Sequence, residues 1–472
     1  MILFCPILML SACSPATDSN KESLESESSQ HQSSQNQNSQ SSSPQTATSA
    51  DNKDLKYEKL DKYLELLEEH NKLMGTVAIR KDGELVYEKA IGYADVENNI
   101  KAGVNSKFRV GSITKSFTAV LVMQMVEEGK LSLSQKLSEF YPAIPNAKEI
   151  TIEQLLAHKS GIFNFTNAPQ YPSYMETNKS KEELLEIISV FPPDFTPGEK
   201  FSYSNSNYVL LGFILEDLSN ETYADLIANK IAKPLGLNNT YVGESIDTKN
   251  HEVLSYRFVG EWSKATETSM TIPLGAGAMV STAADISAFF HALETGKLVN
   301  MDSLSKMKKA GEYGLGMMSY PFYDKVGFGH NGGIDGFVSN GGVIEGEGLA
   351  IAVLSNGVNY TFNDVLVALL STHFDKPFEL PVFKKHKPVS DQLDLSVYEG
   401  EYESEQIPLK ITVFIENEVL MAQATGQDAF ILEPSFEHGF AFKPAGILME
   451  FEPEKNRFTL NQGGGKFNFT KI

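Results

Sequence analysis

From about residue 55, the chain carries apolar residues at two spacings, one typical of helices and one typical of strands. Residues 55–73 place large apolar side chains among charged ones at roughly helical spacing, which predicts a helix. The run 76–80 favours a strand, 81–83 contains turn formers, and 84–87 begins a second strand-like run. The pattern therefore predicts a helix followed by a β-hairpin.

A long helical middle and a second hairpin complete this pattern. Residues 112–129 repeat large apolar side chains on one helical face and end at a glycine stop signal. Near the far end, 336–343 and 349–354 read as strands, and 361–374 as a closing helix. We expect this hairpin to complete the sheet begun by 76–90. The predicted fold class is α/β (α+β): an antiparallel sheet flanked by helices, with an all-helical subdomain.

The composition changes after residue 378. Residues 384–388 form a basic, proline-containing connector, and 395–472 alternate apolar and polar residues in short runs split by turn formers. This alternation predicts a small C-terminal all-β domain over 393–472. We accordingly expect a main catalytic domain over 55–378.

The N-terminal segment predicts export. Residues 2–12 are apolar but too short to span a bilayer as a helix. Leu10-Ser11-Ala12-Cys13 resembles the bacterial lipobox, so 1–13 is predicted to be a lipoprotein signal peptide whose Cys13 carries lipid. An ordinary signal peptide is the alternative, since no Lys or Arg precedes the apolar run.

Residues 14–54 are rich in Ser, Gln and Asn and poor in large apolar side chains, which predicts a disordered tether. A tether after a lipidated cysteine would lift the following domain away from the membrane surface. The sequence thus predicts an exported protein that is lipid-anchored to the bacterial cell envelope.

Composition excludes several functions. The formal net charge is −21, from 61 acidic and 40 basic residues, which disfavours a nucleic-acid partner. Both cysteines, Cys5 and Cys13, lie in the predicted signal peptide, so no disulfide framework or cysteine zinc site is expected in the domains. The histidines show no metal-binding spacing, and we expect neither a metal nor another cofactor.

A candidate nucleophile lies at the start of the long predicted helix. Ser112 and Lys115 are three residues apart, which puts both side chains on one helical face and lets an amine reach the serine hydroxyl. The helix N-terminus also favours a developing anion. The spacing alone is a weak signal, because Ser303/Lys306 and Ser305/Lys308 share it.

Two further motifs strengthen this candidate: Tyr203-Ser204-Asn205 and His330-Asn331-Gly332-Gly333. With the segment 108–137 around Ser112, they resemble, in order and spacing, the three motifs of class C β-lactamases and the related DD-peptidases and esterases of the penicillin-binding-protein fold. The resemblance covers roughly 55–375. Two other segments, 151–162 and 275–289, also resemble segments of this family.

The resemblance implies a role for each residue. Ser112 would attack a carbonyl and form an acyl-enzyme, while Lys115 and Tyr203 share its proton, with the identity of the base left open. Asn205 would bind Lys115 and the substrate amide. The backbone N–H groups of Ser112 and Gly333 would form the oxyanion hole, with His330 and Gly332 beside the substrate.

Several of these residues also have a structural interpretation. Tyr203 could be a core tyrosine, Asn205 could cap the following helix, and His330 could be a satisfied buried histidine. His158 is interpreted as scaffold.

His330 also bears on the substrate. Many relatives in the family carry a lysine at this position, whereas a histidine is charged only in part near neutral pH. The resemblance therefore implies a small-molecule or peptide substrate for a DD-peptidase, D-amino-acid peptidase or esterase, with β-lactam hydrolysis less favoured. The rival hypothesis is a catalytically silent penicillin-binding-like module that serves binding or envelope regulation.

Overall fold

The computed structural model describes residues 49–472 except 260, 309–312, 384–392, 408, 417, 426–428, 443–445 and 463–464. Tyr57–Ile472 forms one compact unit. Of the preceding unit, Met1–Lys56, the described part is the helical backbone from residue 49. The predicted signal peptide, Cys13 and the tether up to residue 48 lie outside the described residues, so these assignments stay predictions.

A six-stranded antiparallel sheet forms the centre of the main domain, in the strand order β10-β11-β12-β13-β1-β2. The predicted assembly is confirmed, because β1 pairs with β13 and thereby joins the N-terminal hairpin to the later one. The six strands are β1 Leu73–Lys81, β2 Glu84–Ile91, β10 Met318–Phe322, β11 Lys325–Ile334, β12 Phe337–Ile344 and β13 Leu349–Val358.

Helices cover both faces of this sheet, as the alternation of its side chains requires. On β13, Ile351 and Val353 face a core shared with α1 and α10, while Ala352 and Leu354 face the core of the helical region. The helices concerned are α1 Ser49–Glu69, α8 Ala283–Glu294, α9 Met301–Met307 and α10 Phe362–His373. Helix α1 begins at Ser49, before the predicted start of order near residue 55.

The turn between β1 and β2 shows why the sequence folds back here. Asp82 and Gly83 both adopt positive φ, 51° and 88°, which Asp tolerates and Gly adopts freely. The Asp82 N–H donates to Gly348 O across the neighbouring turn, at 2.8 Å. The predicted turn is therefore confirmed and is tied to the β12–β13 connection.

The helical subdomain lies between residues 110 and 278 of the sequence. Its centre is α2, whose residues from Thr114 to Met123 are all buried, as are those of α5 from Ser206 to Leu215. Helices buried on every side belong to the interior of a large domain. The helices are α2 Thr114–Glu127, α3 Ile152–Leu156, α4 Lys181–Ser189, α5 Asn205–Ser219, α6 Tyr223–Ile227 and α7 Lys233–Leu235.

Among the described residues of the main domain, seven short strands lie outside the six-stranded sheet. They form a three-stranded sheet, β5-β9-β6, and two two-stranded ribbons, β3-β4 and β7-β8. The strands are β3 Tyr93–Asp95, β4 Ile100–Lys101, β5 Phe108–Arg109, β6 Tyr241–Val242, β7 Tyr256–Val259, β8 Glu261–Lys264 and β9 Met279–Ser281.

The C-terminal part is a nine-stranded antiparallel sheet, in the order β17-β16-β15-β14-β22-β21-β20-β19-β18. Only Leu432 separates β17 from β18, so the two ends of the sheet lie side by side and the sheet is barrel-like. The strands are β14 Gly400–Glu403, β15 Lys410–Glu416, β16 Val419–Ala424, β17 Phe430–Ile431, β18 Glu433–Phe436, β19 Gly439–Phe442, β20 Ile447–Glu452, β21 Arg457–Gln462 and β22 Gly465–Lys471.

Aromatic side chains pack together with aliphatic ones in the interior of this sheet. Phe458 stacks on Phe469 with ring centroids 4.9 Å apart, and Phe440 and Phe451 pack beside them. The predicted fold class, an antiparallel sheet with helices followed by an all-β C-terminal part, is thereby confirmed. Across the described residues, no helix combines the length and apolar character needed to cross a membrane.

Candidate active site

Ser112 lies in a short 3₁₀ turn, Gly111–Ile113, that leads directly into α2. The sequence predicted a helix from Ser112, and the α-helix itself begins two residues later at Thr114. Gly111 has φ +50°, and a Cβ there would lie 2.8 Å from Gly333 N. Glycine is therefore required for the Ser112 turn to pack against strand β11.

Lys115 lies in the first turn of α2, three residues after Ser112, and is completely buried. Its Nζ is 3.0 Å from Ser112 Oγ, 2.8 Å from Asn205 Oδ1 and 2.7 Å from the carbonyl oxygen of Ala276. Burial lowers the pKa of Lys115 well below its usual 10.5, because the charged form loses hydration. A neutral amine at this position can accept a proton.

Tyr203 approaches Ser112 from the other side. Its OH donates to Ser112 Oγ at 2.9 Å, and its ring centroid lies 4.9 Å from Lys115 Nζ. Burial raises the pKa of Tyr203 above its usual 10, so the phenol keeps its proton. The structural interpretation of Tyr203 as a plain core residue does not account for this contact with Ser112.

His158 holds the backbone on either side of Tyr203. Its Nδ1 accepts the Ser204 N–H at 3.1 Å, its carbonyl accepts the Ser202 N–H at 2.9 Å, and its ring lies 4.3 Å from that of Tyr203. The ring is fully buried, and burial lowers its pKa, so it stays neutral. The prediction of a scaffold role agrees with these contacts.

Asn205 begins α5, but its side chain does not cap the helix. The N-cap residue is Ser204, which makes no side-chain capping bond, while Asn205 Oδ1 faces Lys115 and Nδ2 donates to Thr166 Oγ1 at 3.1 Å. The capping alternative for Asn205 is therefore wrong, because Lys115 and Thr166 occupy both ends of the amide. Asn164 adds a bond, since its Oδ1 accepts the Asn205 N–H at 3.0 Å.

Gly332 allows strand β11 to lie against the nucleophile turn. A Cβ at Gly332 would lie 3.0 Å from Ser112 N and only 2.1 Å from Val110 O, and the second distance is too short for any side chain. The Ser339 hydroxyl secures the same turn by donating to Val110 O at 2.7 Å. The backbone of Gly332 and Gly333 consequently lies beside the Ser112 N–H, where an oxyanion hole would be needed.

His330 differs from the expectation. It is only 2% exposed, and burial together with nearby Lys115 lowers its pKa to about 3. The expected partial charge near neutral pH is therefore wrong, because the ring is enclosed and faces another cation-forming group. Its Nε2 is 2.8 Å from Tyr313 OH, and its Nδ1 makes a short bond to Asn331 O.

A buried ion pair anchors the turn that follows β11. Arg109 Nη1 lies 3.0 Å from Asp335 Oδ2, and both side chains are almost fully buried. Asp335 Oδ1 also accepts from the Thr268 N–H at 3.0 Å and from Thr268 Oγ1 at 2.6 Å. The sequence alone does not predict this pair, although Arg109 and Asp335 flank the first and third motifs.

The structure thus brings together the seven catalytic and substrate-binding residues predicted from the sequence: Ser112, Lys115, Tyr203, Asn205, His330, Gly332 and Gly333. The contributions of Ala276, Thr166 and Tyr313 were missed. A backbone carbonyl carries no sequence signal, and a single loop threonine or tyrosine has no characteristic spacing. Cys13 lies outside the described residues.

The family model described as Beta-lactamase matches residues 60–370. The chain is 31% identical over 253 residues to the candidate penicillin-binding protein PbpX of Bacillus subtilis (strain 168), which covers 52% of this chain and 62% of that protein. The chain therefore spans less than two thirds of that relative.

Two further proteins carry names that describe an activity. The teichoic acid D-alanine hydrolase of Staphylococcus aureus (strain NCTC 8325 / PS 47) is 27% identical over 300 residues, covering 61% of this chain and 70% of that protein. The crystal structure of D-amino acid amidase from Ochrobactrum anthropi SV3 with L-phenylalanine amide has a TM-score of 0.60 and 25% identity, covering 67% of this chain and 98% of the amidase.

Proposed function

The chain belongs to the β-lactamase family of serine hydrolases, and we propose that it cleaves D-aminoacyl esters or amides through an acyl-enzyme on Ser112. The observation that carries the proposal is the position of Ser112 Oγ, 3.0 Å from Lys115 Nζ and 2.9 Å from Tyr203 OH. A hydroxyl between an amine and a phenol has both a proton acceptor and a proton donor within reach.

Lys115 is proposed as the general base. A neutral amine has two N–H donors and one lone pair, and the oxygens of Asn205 and Ala276 can only accept, so they use both donors. The lone pair then points toward Ser112 Oγ. Since the pKa of Tyr203 is raised, its phenol instead donates to the same oxygen. This arrangement favours Lys115 over Tyr203 as the group that first takes the serine proton.

The proposed reaction has two stages. As Ser112 Oγ bonds to the carbonyl carbon, its proton moves to Lys115 Nζ, and the backbone N–H groups of Ser112 and Gly333 stabilise the oxyanion. The bond to the leaving group then breaks, and the leaving group takes the proton from Lys115 through Tyr203. Water attacks the acyl-enzyme by the reverse proton path and releases the acid.

The substrate class follows from charge at the site and from the relatives. Both ring nitrogens of His330 already have partners, and the ring is neutral, so it offers no cation to a substrate carboxylate. This favours esters and amides over D-Ala-D-Ala peptides and β-lactams, which carry a carboxylate. The named activities of the teichoic acid D-alanine hydrolase and the D-amino acid amidase support a D-aminoacyl group.

Acylation tests the nucleophile. Intact-mass spectrometry after treatment with a fluorophosphonate should show one adduct on the wild type and none on Ser112→Ala. Ser305→Ala is the matched control, because Ser305 on α9 and Lys308 at its C-cap share the spacing of Ser112 and Lys115. An adduct on Ser112→Ala would exclude Ser112 as the nucleophile, and an unreactive wild type would favour the silent-module alternative.

A substrate panel tests the class. We expect D-alanyl esters and D-alanine amide to be hydrolysed faster than their L forms. Nitrocefin and a peptide ending in D-Ala-D-Ala should be roughly 100-fold slower, since one missing charge-assisted hydrogen bond has an effect of that order. Nitrocefin turnover equal to that of the ester would contradict the proposed class.

Cys13 is proposed to carry the lipid that keeps the exported enzyme at the cell envelope, where a teichoic acid substrate would be available. Expression in a bacterial host with labelled palmitate should place label on the wild type and leave Cys13→Ser unlabelled and released from membranes. Cys5→Ser should keep the label and serves as the control. Equal labelling of the Cys13→Ser protein would contradict the lipobox interpretation.

A further inference from the structure

Tyr313 makes a contact that the reaction described above does not use. It lies between α9 and β10, and its OH is 2.8 Å from His330 Nε2. Both side chains are buried, at 7% and 2% exposure. The Tyr313 ring is itself held by aromatic neighbours, since His158 lies 4.7 Å and Phe201 6.0 Å away between ring centroids.

The hydrogen bonds of His330 define its tautomer. Its Nδ1 contacts Asn331 O, and a carbonyl oxygen can only accept, so Nδ1 carries the proton. In a neutral ring Nε2 is then unprotonated and accepts from the Tyr313 hydroxyl. The other titratable groups around the ring are Lys115, Tyr203 and His158, and all three are buried.

The bond from His330 reaches the backbone that lines the nucleophile. Asn331 O belongs to the peptide group that joins Asn331 to Gly332, and Gly332 packs against Val110 O and beside Ser112 N. The direction of that peptide group affects where the next N–H, that of Gly333, points. A ring held in one tautomer keeps the carbonyl, and with it the following amide, in one orientation.

We propose that Tyr313 is a positioning residue that acts through His330: its hydroxyl keeps His330 in the Nδ1–H form, whose ring N–H holds Asn331 O and thereby orients the Gly333 amide of the oxyanion hole. The inference rests on the proposed hydrolase function of this site. It assigns His330 to the alignment of strand β11, not to contact with the substrate.

Tyr313→Phe tests the effect on catalysis. It removes the hydroxyl and keeps the ring, so kcat for a D-alanyl ester should fall by ~10–100-fold while KM stays within about threefold, because the oxyanion forms only in the transition state. Rates are divided by the fluorophosphonate-titrated site concentration, which removes any effect of misfolded protein. Tyr320→Phe removes another partly buried tyrosine hydroxyl, remote from Ser112, and should keep kcat unchanged.

The tautomer itself has a readout that needs no activity. In long-range ¹H–¹⁵N correlation spectra of ¹⁵N-histidine-labelled full-length protein, the His330 signals, identified by their absence in His330→Gln, should show protonated Nδ1 and bare Nε2. They should not change between pH 5 and 8. In Tyr313→Phe a population protonated on Nε2 should appear, because the donor that occupied that lone pair has gone.

The outcomes separate the two proposals. A wild-type His330 that is protonated on Nε2 or doubly protonated overturns the inference, as does a Tyr313→Phe enzyme with unchanged kcat. A variant that raises KM for carboxylate substrates alone also overturns it, since His330 would then be a substrate ligand. If no substrate is turned over, the proposed function fails, and the spectra still decide whether Tyr313 sets the His330 tautomer.

Discussion

The interiors of the main domain and of the C-terminal sheet differ in the side chains that they bury. The first contains several ionisable groups, and the second is almost entirely apolar. Around Ser112 the main domain buries Lys115, His158, His330 and the Arg109–Asp335 pair. Among the described residues after Leu393, Asn461 is the only polar side chain, tyrosines aside, that is buried, and aromatic and aliphatic side chains fill the rest of the core. Buried ionisable groups lower stability unless they are paired, whereas ring packing raises it.

This contrast indicates which of the two interiors can support proton transfer. Burial in the first interior keeps an amine neutral and a phenol protonated, which proton transfer requires, and perturbed pKa values of this kind cluster at functional sites. Among the described residues of the C-terminal sheet, no lysine is buried beside its tyrosines. Substitutions in the first interior should therefore change rates, and substitutions in the second should change stability.

The largest effect is expected at Lys115. Lys115→Ala removes the proposed base and should lower kcat/KM by ~10³-fold or more. The melting temperature should change little, because two effects on the free energy of unfolding oppose each other. Removing the buried amine relieves its desolvation cost, while the oxygens of Asn205 and Ala276 lose a hydrogen-bond donor. Steady-state kinetics and thermal unfolding measure both.

Lys130→Ala is the control, because Lys130 is exposed and lies just beyond α2. Its kcat/KM and melting temperature should match those of the wild type. A Lys115→Ala rate within tenfold of the wild type would remove this residue from proton transfer. A large drop in melting temperature would instead mark it as structural and erase the contrast between the two interiors.

A smaller effect is expected from pH. The base works in its neutral form, so kcat/KM should rise about tenfold per pH unit up to the lowered pKa of Lys115 and then level off, well below pH 10.5. His158 and His330 stay neutral, the latter with a pKa of about 3, and add no step near neutrality. Tyr203 keeps its proton until strongly alkaline pH, because burial raises its pKa.

The measurement is a pH–rate profile with an ester that does not titrate between pH 5 and 10. The rise in kcat/KM should level off at the same pH in Tyr203→Phe, because the residual rate of this variant still depends on Lys115. A rate that falls as pH rises through neutrality would show that the charged form of Lys115 is the active one.

The smallest effect on rate is expected from removing the C-terminal sheet. A chain ending after Phe383 keeps the contacts of that ring with His70 and Tyr360, at 4.8 and 6.0 Å. It should hydrolyse a small ester within about threefold of the full chain, because the residues that form the site described here all precede 383. Gel filtration and steady-state kinetics test this boundary.

Phe458→Ala in the full chain is the companion variant. It should lower the stability of the C-terminal part by about 3–5 kcal/mol through the cavity it leaves, while kcat stays constant. Aggregation of the truncated chain, or a loss of kcat in Phe458→Ala, would mean that the two interiors depend on one another.

The parts of the site visible in the sequence were those with a local or motif-based signal. Ser112 and Lys115 are one helical turn apart, and the hairpins followed from period-two alternation and turn residues. The charge on His330 was predicted wrongly, since it depends on enclosure by Tyr313 and Lys115, which are distant in the sequence. The acceptor Ala276 O is a backbone atom and leaves no trace in residue identity.

The single residue between β17 and β18 restricts how the C-terminal sheet can vary. Leu432 is buried and its N–H donates to Leu420 O at 2.8 Å, so it joins β16 on one side and leads into β18 on the other. Because the sheet ends meet there, neither offers a long free edge to a neighbouring molecule. Neighbouring molecules would thus be protected from edge-to-edge association, and length variation among relatives should avoid this junction.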